Sequence, residues 1–276
     1  MRYKRSVNAS TSGSPLKTAL ITGASSGIGL ELARLFAADH YNLVLVARNR
    51  AALQQLGEEL QGQHGVAVRI SPKDLAHPAS PVELFNELQE AGIAIDALVN
   101  NAGFGGSGPF VQTDWHHEAE MIQVNIIALT HLTKLFLPQI VTRKGKLLNV
   151  GSVAAFLPGP YTAIYYASKA YVLHFSEALA EELSGDGVLV SCLSPGPVET
   201  GFQKRAHSGG SSRANAPLYL DVKDVARAGY DGMNQGKRIV IPGWKNRALT
   251  ELLRLFPRNT VTRAVGRMYK SKKGSD

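Results

Sequence analysis

The stretch Thr22-Gly23-Ala24-Ser25-Ser26-Gly27-Ile28-Gly29 decides how this chain folds. An apolar run, Thr18–Thr22 (TALIT), leads into it, and a helical apolar pattern, Leu30–Phe36, leads out. Strand, glycine-rich turn and helix N-terminus therefore follow in that order. Gly23 is expected to permit the tight turn and Gly27 to let a pyrophosphate approach the backbone. Gly29 is expected to let the helix pack closely on the strand. Free N–H groups and the helix dipole favour a diphosphate there, which makes Ser25, Ser26 and Ile28 candidate cofactor contacts beside the three glycines. A turn of small residues without a ligand would have the same composition. The position in a first strand–helix–strand unit favours the ligand.

Outward from this turn, short apolar runs alternate with longer helical patterns. The strands expected are Thr18–Thr22, Asn42–Ala47, Ala67–Ser71, Ala97–Asn100, Lys146–Val150, Val188–Leu193 and Arg238–Ile241. The helices expected are Gly27–Ala38, Arg50–Gln63, Pro81–Ala91, Asp114–Thr142, Ala163–Leu183 and Val222–Met233. Such alternation implies right-handed crossovers and a seven-stranded, mostly parallel sheet with helices on both faces, an α/β doubly wound architecture. No linker divides residues 18–243, which read as one domain. Residues 1–17 read as a disordered basic tail, and residues 244–276 as a basic amphipathic helical extension.

The second strand ends at Val46-Ala47-Arg48-Asn49-Arg50, with Arg48 nineteen residues after Gly29. In dinucleotide sites an acid near this point holds a ribose 2′-hydroxyl, whereas an arginine suits a 2′-phosphate. No acid stands there, and a guanidinium binds phosphate bidentately. NADP(H) is therefore expected over NAD(H). The alternative leaves Arg48 as the solvated residue before a helix.

Tyr165 and Lys169 share one helix face at i, i+4, about 5–6 Å apart between Cβ atoms. An ammonium beside a phenol favours the phenolate and lowers its pKa. Ser152 lies just past the fifth strand, thirteen residues before Tyr165, where its hydroxyl could hold a substrate oxygen. Alone, the Tyr–Lys spacing would equally describe a surface tyrosine packed on a lysine stem.

Taken together, these pieces resemble the short-chain dehydrogenase/reductase family in its single-domain Rossmann form. In family order stand TGASSGIG (Thr22–Gly29), Asp74-Leu75, NNAG (Asn100–Gly103), Asn125 in VNIIA, GSVAA (Gly151–Ala155), YYASK (Tyr165–Lys169) and SPGPVET (Ser194–Thr200). The resemblance covers roughly Thr18 to Ile241. It implies an oxidoreductase that moves hydride between NADP(H) and a carbonyl or alcohol. Tyr165 would be general acid/base, and Lys169 would tune it and bind the nicotinamide ribose. Ser152 would orient the carbonyl, and Asn125 would anchor a water-linked proton relay. Asp74 with Leu75, Asn101, Ala102 and Gly103 would flank the adenosine. Pro195, Gly196, Val198 and Thr200 would embrace the nicotinamide. A homodimer or homotetramer built on Asp114–Thr142 and Ala163–Leu183 is also implied. The competing reading is a protein on the same fold that senses nucleotides or meets a membrane surface without turnover.

The substrate pocket is expected outside the carboxyl ends of the strands. Phe104, Phe156, Tyr161 and Phe202 fall in loops there and suggest an apolar small-molecule substrate, with ordinary core packing as the alternative at each. Residues 202–217, with SGGSS, would suit a lid or an ordinary loop. In the C-terminal stretch Leu249, Leu252, Leu253 and Phe256 follow i, i+3, i+4, i+7 spacing, Pro257 interrupts, and Val261, Val265 and Met268 resume. Arginines and lysines surround these stripes. Peripheral membrane contact through residues 245–276, cover of the cleft and packing on a partner subunit are all compatible with that pattern.

Charge narrows the classes. The chain has 276 residues and a net charge of +8. Residues 1–17 carry four bases and no acid, and residues 237–276 carry eleven bases against two acids. The central 219 residues carry fifteen bases against twenty acids, so the middle is mildly acidic. A uniformly basic surface would point to nucleic acid; this distribution does not. A single cysteine, Cys192, excludes an internal disulfide framework and suits a small buried hydrophobe. The scattered histidines, His116-His117 included, offer no metal-ligand spacing. No run of 18 apolar residues is present, and the N-terminal residues lack the apolar core of a secretory signal, though a transit segment shares their composition. A cytoplasmic location, with contact to a membrane surface as an option, is the expectation.

Overall fold

The structure is a computed structural model that describes residues 16–198, 219–253 and 255–271. Seven strands form one sheet: β1 (Thr18–Thr22), β2 (Asn42–Ala47), β3 (Val68–Pro72), β4 (Ala97–Asn100), β5 (Lys146–Val150), β6 (Leu189–Leu193) and β7 (Ile239–Val240). Their order is β3-β2-β1-β4-β5-β6-β7, and every pairing is parallel. The chain reverses direction across the sheet between β1 and β4, the switch point at which doubly wound sheets open a crevice.

The helices are α1 (Gly27–Ala38), α2 (Arg50–His64), α3 (Ser80–Glu90), α4 (Trp115–Ile122), α5 (Leu129–Thr142), α6 (Ala163–Glu182), α7 (Val222–Asn234), α8 (Trp244–Leu253) and α9 (Arg258–Ser271). The expected elements are present, with ends displaced by one or two residues. The expected helix Asp114–Thr142 is interrupted by a π-helical segment, Gln123–Ala128, that joins α4 to α5. Such segments re-aim side chains and often mark functional positions; this one contains Asn125.

Alternation along the strands divides the core between the two sheet faces. Ala19 and Ile21 of β1 pack with Phe36 of α1, Leu53 of α2 and Tyr230 of α7. Leu20 packs on the other face with Leu84 of α3 and Phe136 of α5. All five β1 residues are buried, as a central parallel strand requires. The continuous helix Trp115–Thr142 is long and apolar enough by composition to cross a membrane. Here Met121, Leu132, Phe136 and Ile140 are buried in the protein, so its apolar content serves the core.

Buried polar groups tie the inner strands to their helices. Asn100 of β4 donates to Thr133 Oγ1 of α5 at 2.9 Å and to Asn149 Oδ1 of β5 at 3.0 Å. Asn149 in turn donates to Ser176 Oγ of α6 at 2.9 Å. These bonds pair the side-chain amide nitrogens of both asparagines, while Asn100 Oδ1 is buried without a partner among the described residues. The expected tail, residues 1–17, falls outside the described residues except for Leu16 and Lys17, and the candidate lid, residues 202–217, lies wholly outside them.

Candidate active site

The carboxyl ends of β1, β4, β5 and β6 open into one cleft of about 1330 Å³. Drug-sized sites usually occupy roughly 300–1,000 Å³, so this cleft has room for a dinucleotide and a second molecule. Its floor at β1 is the glycine turn. Gly23 adopts φ +66°, the left-handed region that disfavours side chains. Gly29 meets a different constraint from the one expected. A Cβ there would stand 2.5 Å from the Gly23 carbonyl oxygen and against the Asn101 amide, so Gly29 seats α1 on the turn itself. No acid occupies the first turn of α1, which leaves the positive end of the helix dipole facing the cleft. Gly23, Ser25, Ser26, Gly27 and Ile28 all line it.

Asn101 braces this turn. Its side-chain amide donates to the carbonyls of Thr22 at 2.9 Å and Gly23 at 3.2 Å. Thr22 Oγ1 accepts from the backbone N–H groups of Asn101 and Ala102, both at 3.0 Å. Asn101, Ala102 and Gly103 line the cleft, as do Asp74 and Leu75 from the end of β3. Asp74 Oδ1 accepts from Ala76 N at 3.0 Å. Arg48, at the end of β2, lies 3.7 Å from the other Asp74 carboxylate oxygen and is 64% exposed. The adjacent Asn49 caps α2 by accepting from Ala52 N.

At β5, Val150, Gly151 and Ser152 form the next part of the wall. Ser152 Oγ accepts from Ala154 N at 3.1 Å as the N-cap of the short 3-10 turn Val153–Phe156. Tyr165 and Lys169 reach the same cleft from α6. Burial pushes the Tyr165 phenol up to about 12, opposed in part by a hydrogen bond with Ser152. Lys169 Nζ lies 5.9 Å from the Tyr165 ring centroid and donates to the Val150 carbonyl at 2.8 Å. Burial lowers the Lys169 ammonium to about 8. Burial thus favours the neutral form of both groups, with desolvation the largest influence on the phenol.

Asn125 does not line the cleft. Its side chain clamps the Phe104 backbone, accepting from Phe104 N at 3.1 Å and donating to Phe104 O at 2.9 Å. It also donates to Ser168 Oγ at 3.1 Å. Gly103 passes between Asn125 and Lys169: a Cβ there would lie 2.9 Å from Asn125 Oδ1 and 3.6 Å from Lys169 Nζ. Asn125 therefore holds the loop that separates it from the lysine.

Pro195, Gly196 and Val198 close the cleft beyond β6; Thr200 and Phe202 lie outside the described residues. Phe104 lines the cleft, its ring 5.2 Å from that of His117. Phe156 does not. The 3-10 turn presents Ala154 and Leu157 to the cleft and directs Phe156 into the cluster of Leu129, Val172, Leu173 and Cys192. Tyr161, at φ +67°, borders a neighbouring cavity of about 480 Å³ that shares Tyr165 with the main cleft.

Sequence reasoning left one whole wall undecided between the cleft, a partner subunit and a membrane. Leu249, Thr250, Leu253 and Phe256 from α8 and the turn after it, with Val261, Val265, Met268 and Tyr269 of α9, line the cleft. Asn246, 2% exposed, packs so closely on Gly196 that no Cβ would fit there. Tyr166 and Tyr269 share a hydroxyl–hydroxyl hydrogen bond at 3.3 Å that ties α9 to α6. The i, i+3, i+4 apolar stripe marked these positions as helical and one-sided; it carried no signal for what the stripe would face.

Residues 17–209 match the family model described as short chain dehydrogenase. A very-long-chain 3-oxoacyl-CoA reductase from Pyrenophora tritici-repentis is 35% identical over 191 residues, 67% of this chain and 56% of that protein. The match thus spans little more than half of that relative's length. A short-chain dehydrogenase from Sphingobium yanoikuyae, solved with NADPH, superposes with a TM-score of 0.76 at 34% identity, covering 88% of this chain and 97% of that one. A short chain dehydrogenase/reductase from Burkholderia phymatum, solved with NAD, gives 0.75 at 26% identity, covering 86% and 92%. On its seven-stranded parallel sheet, its glycine turn and these matches, the chain belongs to the short-chain dehydrogenase/reductase family of oxidoreductases.

Proposed function

We propose that the protein is an NADP(H)-dependent carbonyl reductase, or alcohol dehydrogenase in reverse, acting on an apolar substrate. The observation that carries this reading is the convergence of Ser152, Tyr165 and Lys169 on one cleft with the glycine turn. The left-handed Gly23, the Cβ-free contact at Gly29 and the acid-free start of α1 fit a pyrophosphate. Arg48 beside the N-terminus of α2 suits a 2′-phosphate, and α2 carries no acid in its first turn. Asp74, the nearest acid, already faces that guanidinium.

When bound, the reduced dinucleotide supplies the hydride. The remaining steps belong to the chain. Ser152 Oγ donates a hydrogen bond to the substrate carbonyl oxygen and stabilises the charge that develops on it. Tyr165 Oη gives that oxygen its proton. A phenol held near 12 is fully protonated at neutral pH, the state a proton donor must be in. The Lys169 cation, 5.9 Å from the Tyr165 ring centroid, favours the phenolate left behind. In this reading Asn125 supports the proton relay to Lys169 by holding the Gly103–Phe104 loop that lies between them.

The apolar wall from α8 and α9 supports an apolar substrate, and the acyl-CoA relative is compatible with one. The same reading has the enzyme assemble as a homodimer or homotetramer, and work in the cytoplasm or against a membrane surface. NADPH consumption against aldehydes and ketones graded in chain length and polarity tests it. Turnover that rises with apolar length is the expected result; no turnover with any carbonyl would overturn it.

A further inference from the structure

The helix pair α8–α9 has two working faces. Inward, Leu249, Leu253, Val261 and Val265 line the cleft. Outward, Trp244, Ala248 and Leu252 succeed one another at i, i+4 steps, and Leu255 extends the row. Trp244 is 76% exposed, Leu252 50% and Leu255 80%. Large apolar side chains grouped in this way are not scattered surface residues. Phe256 belongs to both faces: it lines the cleft and is 50% exposed, which puts the cleft mouth at the apolar row.

The charges around this row are mostly positive, with Glu251 the one acid on α8. Lys245 and Arg247 flank it on α8, and Arg258, Arg263, Arg267 and Lys270 lie along α9. Arg263, Arg267 and Lys270 follow i, i+4, i+7 and so share a helix face. All six are exposed, and none forms an ion pair with an acid among the described residues. An apolar row rimmed by cations without acid partners, with Lys245 over the ring of Trp244 at 5.7 Å, complements an anionic bilayer surface: rings and leucines enter the headgroup boundary while cations meet phosphates. A second copy of the same face would set these cations against one another.

We infer that the α8–α9 face docks the catalytic cleft on an anionic lipid bilayer, with Trp244, Leu252, Leu255 and Phe256 entering the headgroup boundary. The substrate is then a carbonyl compound partitioned into that bilayer, which reaches Tyr165 between Leu253, Phe256 and Val265. This second statement rests on the reductase reading; the docking itself does not.

The test uses the full chain in vesicle co-sedimentation. Phosphatidylcholine vesicles are compared with vesicles holding about one third phosphatidylserine, at low salt and at roughly 0.5 M salt, where the screening length falls to about 4 Å. Sedimentation with the anionic vesicles alone, released by salt, is expected. Arg263→Glu/Arg267→Glu/Lys270→Glu and, separately, Leu252→Ser/Leu255→Ser are expected to weaken partitioning at least tenfold. The milder glutamine set at the same three basic positions is expected to lose part of it. Turnover of a short soluble aldehyde stays unchanged in these variants, while KM for a vesicle-borne long-chain ketone rises. The inference is overturned by a chain that stays in the supernatant at low salt, or by binding that survives both variant sets. It is likewise overturned if Leu252→Ser/Leu255→Ser instead abolishes a dimer seen by light scattering, or if the charge reversal removes binding to duplex DNA but not to vesicles. Vesicle binding without any carbonyl turnover would sink the reductase reading and leave the docking standing.

Discussion

Lys169 Nζ donates a 2.8 Å hydrogen bond to the carbonyl of Val150, the last residue of β5, while lying 5.9 Å from the Tyr165 ring centroid. One side chain thus ties α6 to the sheet at the cleft and holds a cation beside the phenol. The arrangement costs solvation, since burial lowers the ammonium to about 8 and raises the phenol to about 12. The two shifts have one cause and opposite directions, and both favour the neutral form: the lysine becomes easier to neutralise and the tyrosine harder to ionise.

A pH dependence follows. Lys169 is mostly charged at pH 7, half charged near pH 8 and neutral above it, whereas Tyr165 keeps its proton throughout that range. In the reductive direction kcat/KM for the cofactor, which reports the free enzyme, is expected to be flat through neutrality and to fall above about pH 8. A profile flat to pH 10 would show that the lysine charge is not needed.

Tyr165→Phe removes the proton donor and leaves the ring. General acid catalysis contributes ~10²–10⁴-fold, so kcat for carbonyl reduction is expected to fall by roughly that factor. NADPH affinity, measured by fluorescence titration, should change little. Wild-type kcat in this variant would remove Tyr165 from the chemistry.

The two halves of the site differ in how much of them the sequence discloses. The glycine turn is local: TALIT, three glycines and an amphipathic helix follow one another, and short-range sterics and the helix dipole dictate the result. Ser152, Tyr165 and Lys169 are legible because GSVAA and YYASK stand in family order with the other motifs; the Tyr–Lys spacing alone would not have marked them. Phe156 was not, since a four-residue 3-10 turn decides which of its side chains face the cleft, and nothing periodic marks that choice. The brace that Asn101 gives the turn comes from a residue 78 positions from Gly23, beyond the reach of any local pattern. For Leu249, Leu253 and Val265, one apolar stripe describes equally a helix on its own cleft, on a partner or on a membrane. Only the tertiary placement of α8 and α9 distinguishes the inward row from the outward one.

Arg48→Asp tests the cofactor reading. A charge-assisted contact is worth about 1.5–3 kcal/mol, and Arg48 is largely solvated, so the lower part of that range applies. The ratio of NADPH to NADH affinity is expected to drop roughly tenfold or more, with the substituted carboxylate adding repulsion toward a 2′-phosphate. An unchanged ratio would assign the arginine to the Asp74 ion pair alone.

Gly29→Ala and Gly62→Ala make the same chemical change with opposite expected signs. At Gly29 the added methyl would stand 2.5 Å from the Gly23 carbonyl oxygen and against the Asn101 amide, so the turn must shift. Overpacking of this kind costs about 1–3 kcal/mol, and thermal denaturation should show a fall of roughly 2–4 °C per kcal/mol for a chain of this size. Because the obstructed group is the turn that fits the pyrophosphate, NADPH affinity should fall together with stability. At Gly62, on the solvated side of α2, no atom lies within 4 Å of the built Cβ. There the methyl only restricts the unfolded chain and favours helix, a gain of about 0.4–1 kcal/mol, with cofactor affinity unchanged. Equal effects at the two positions would mean that the close approach of α1 to its turn is not what excludes a side chain at Gly29.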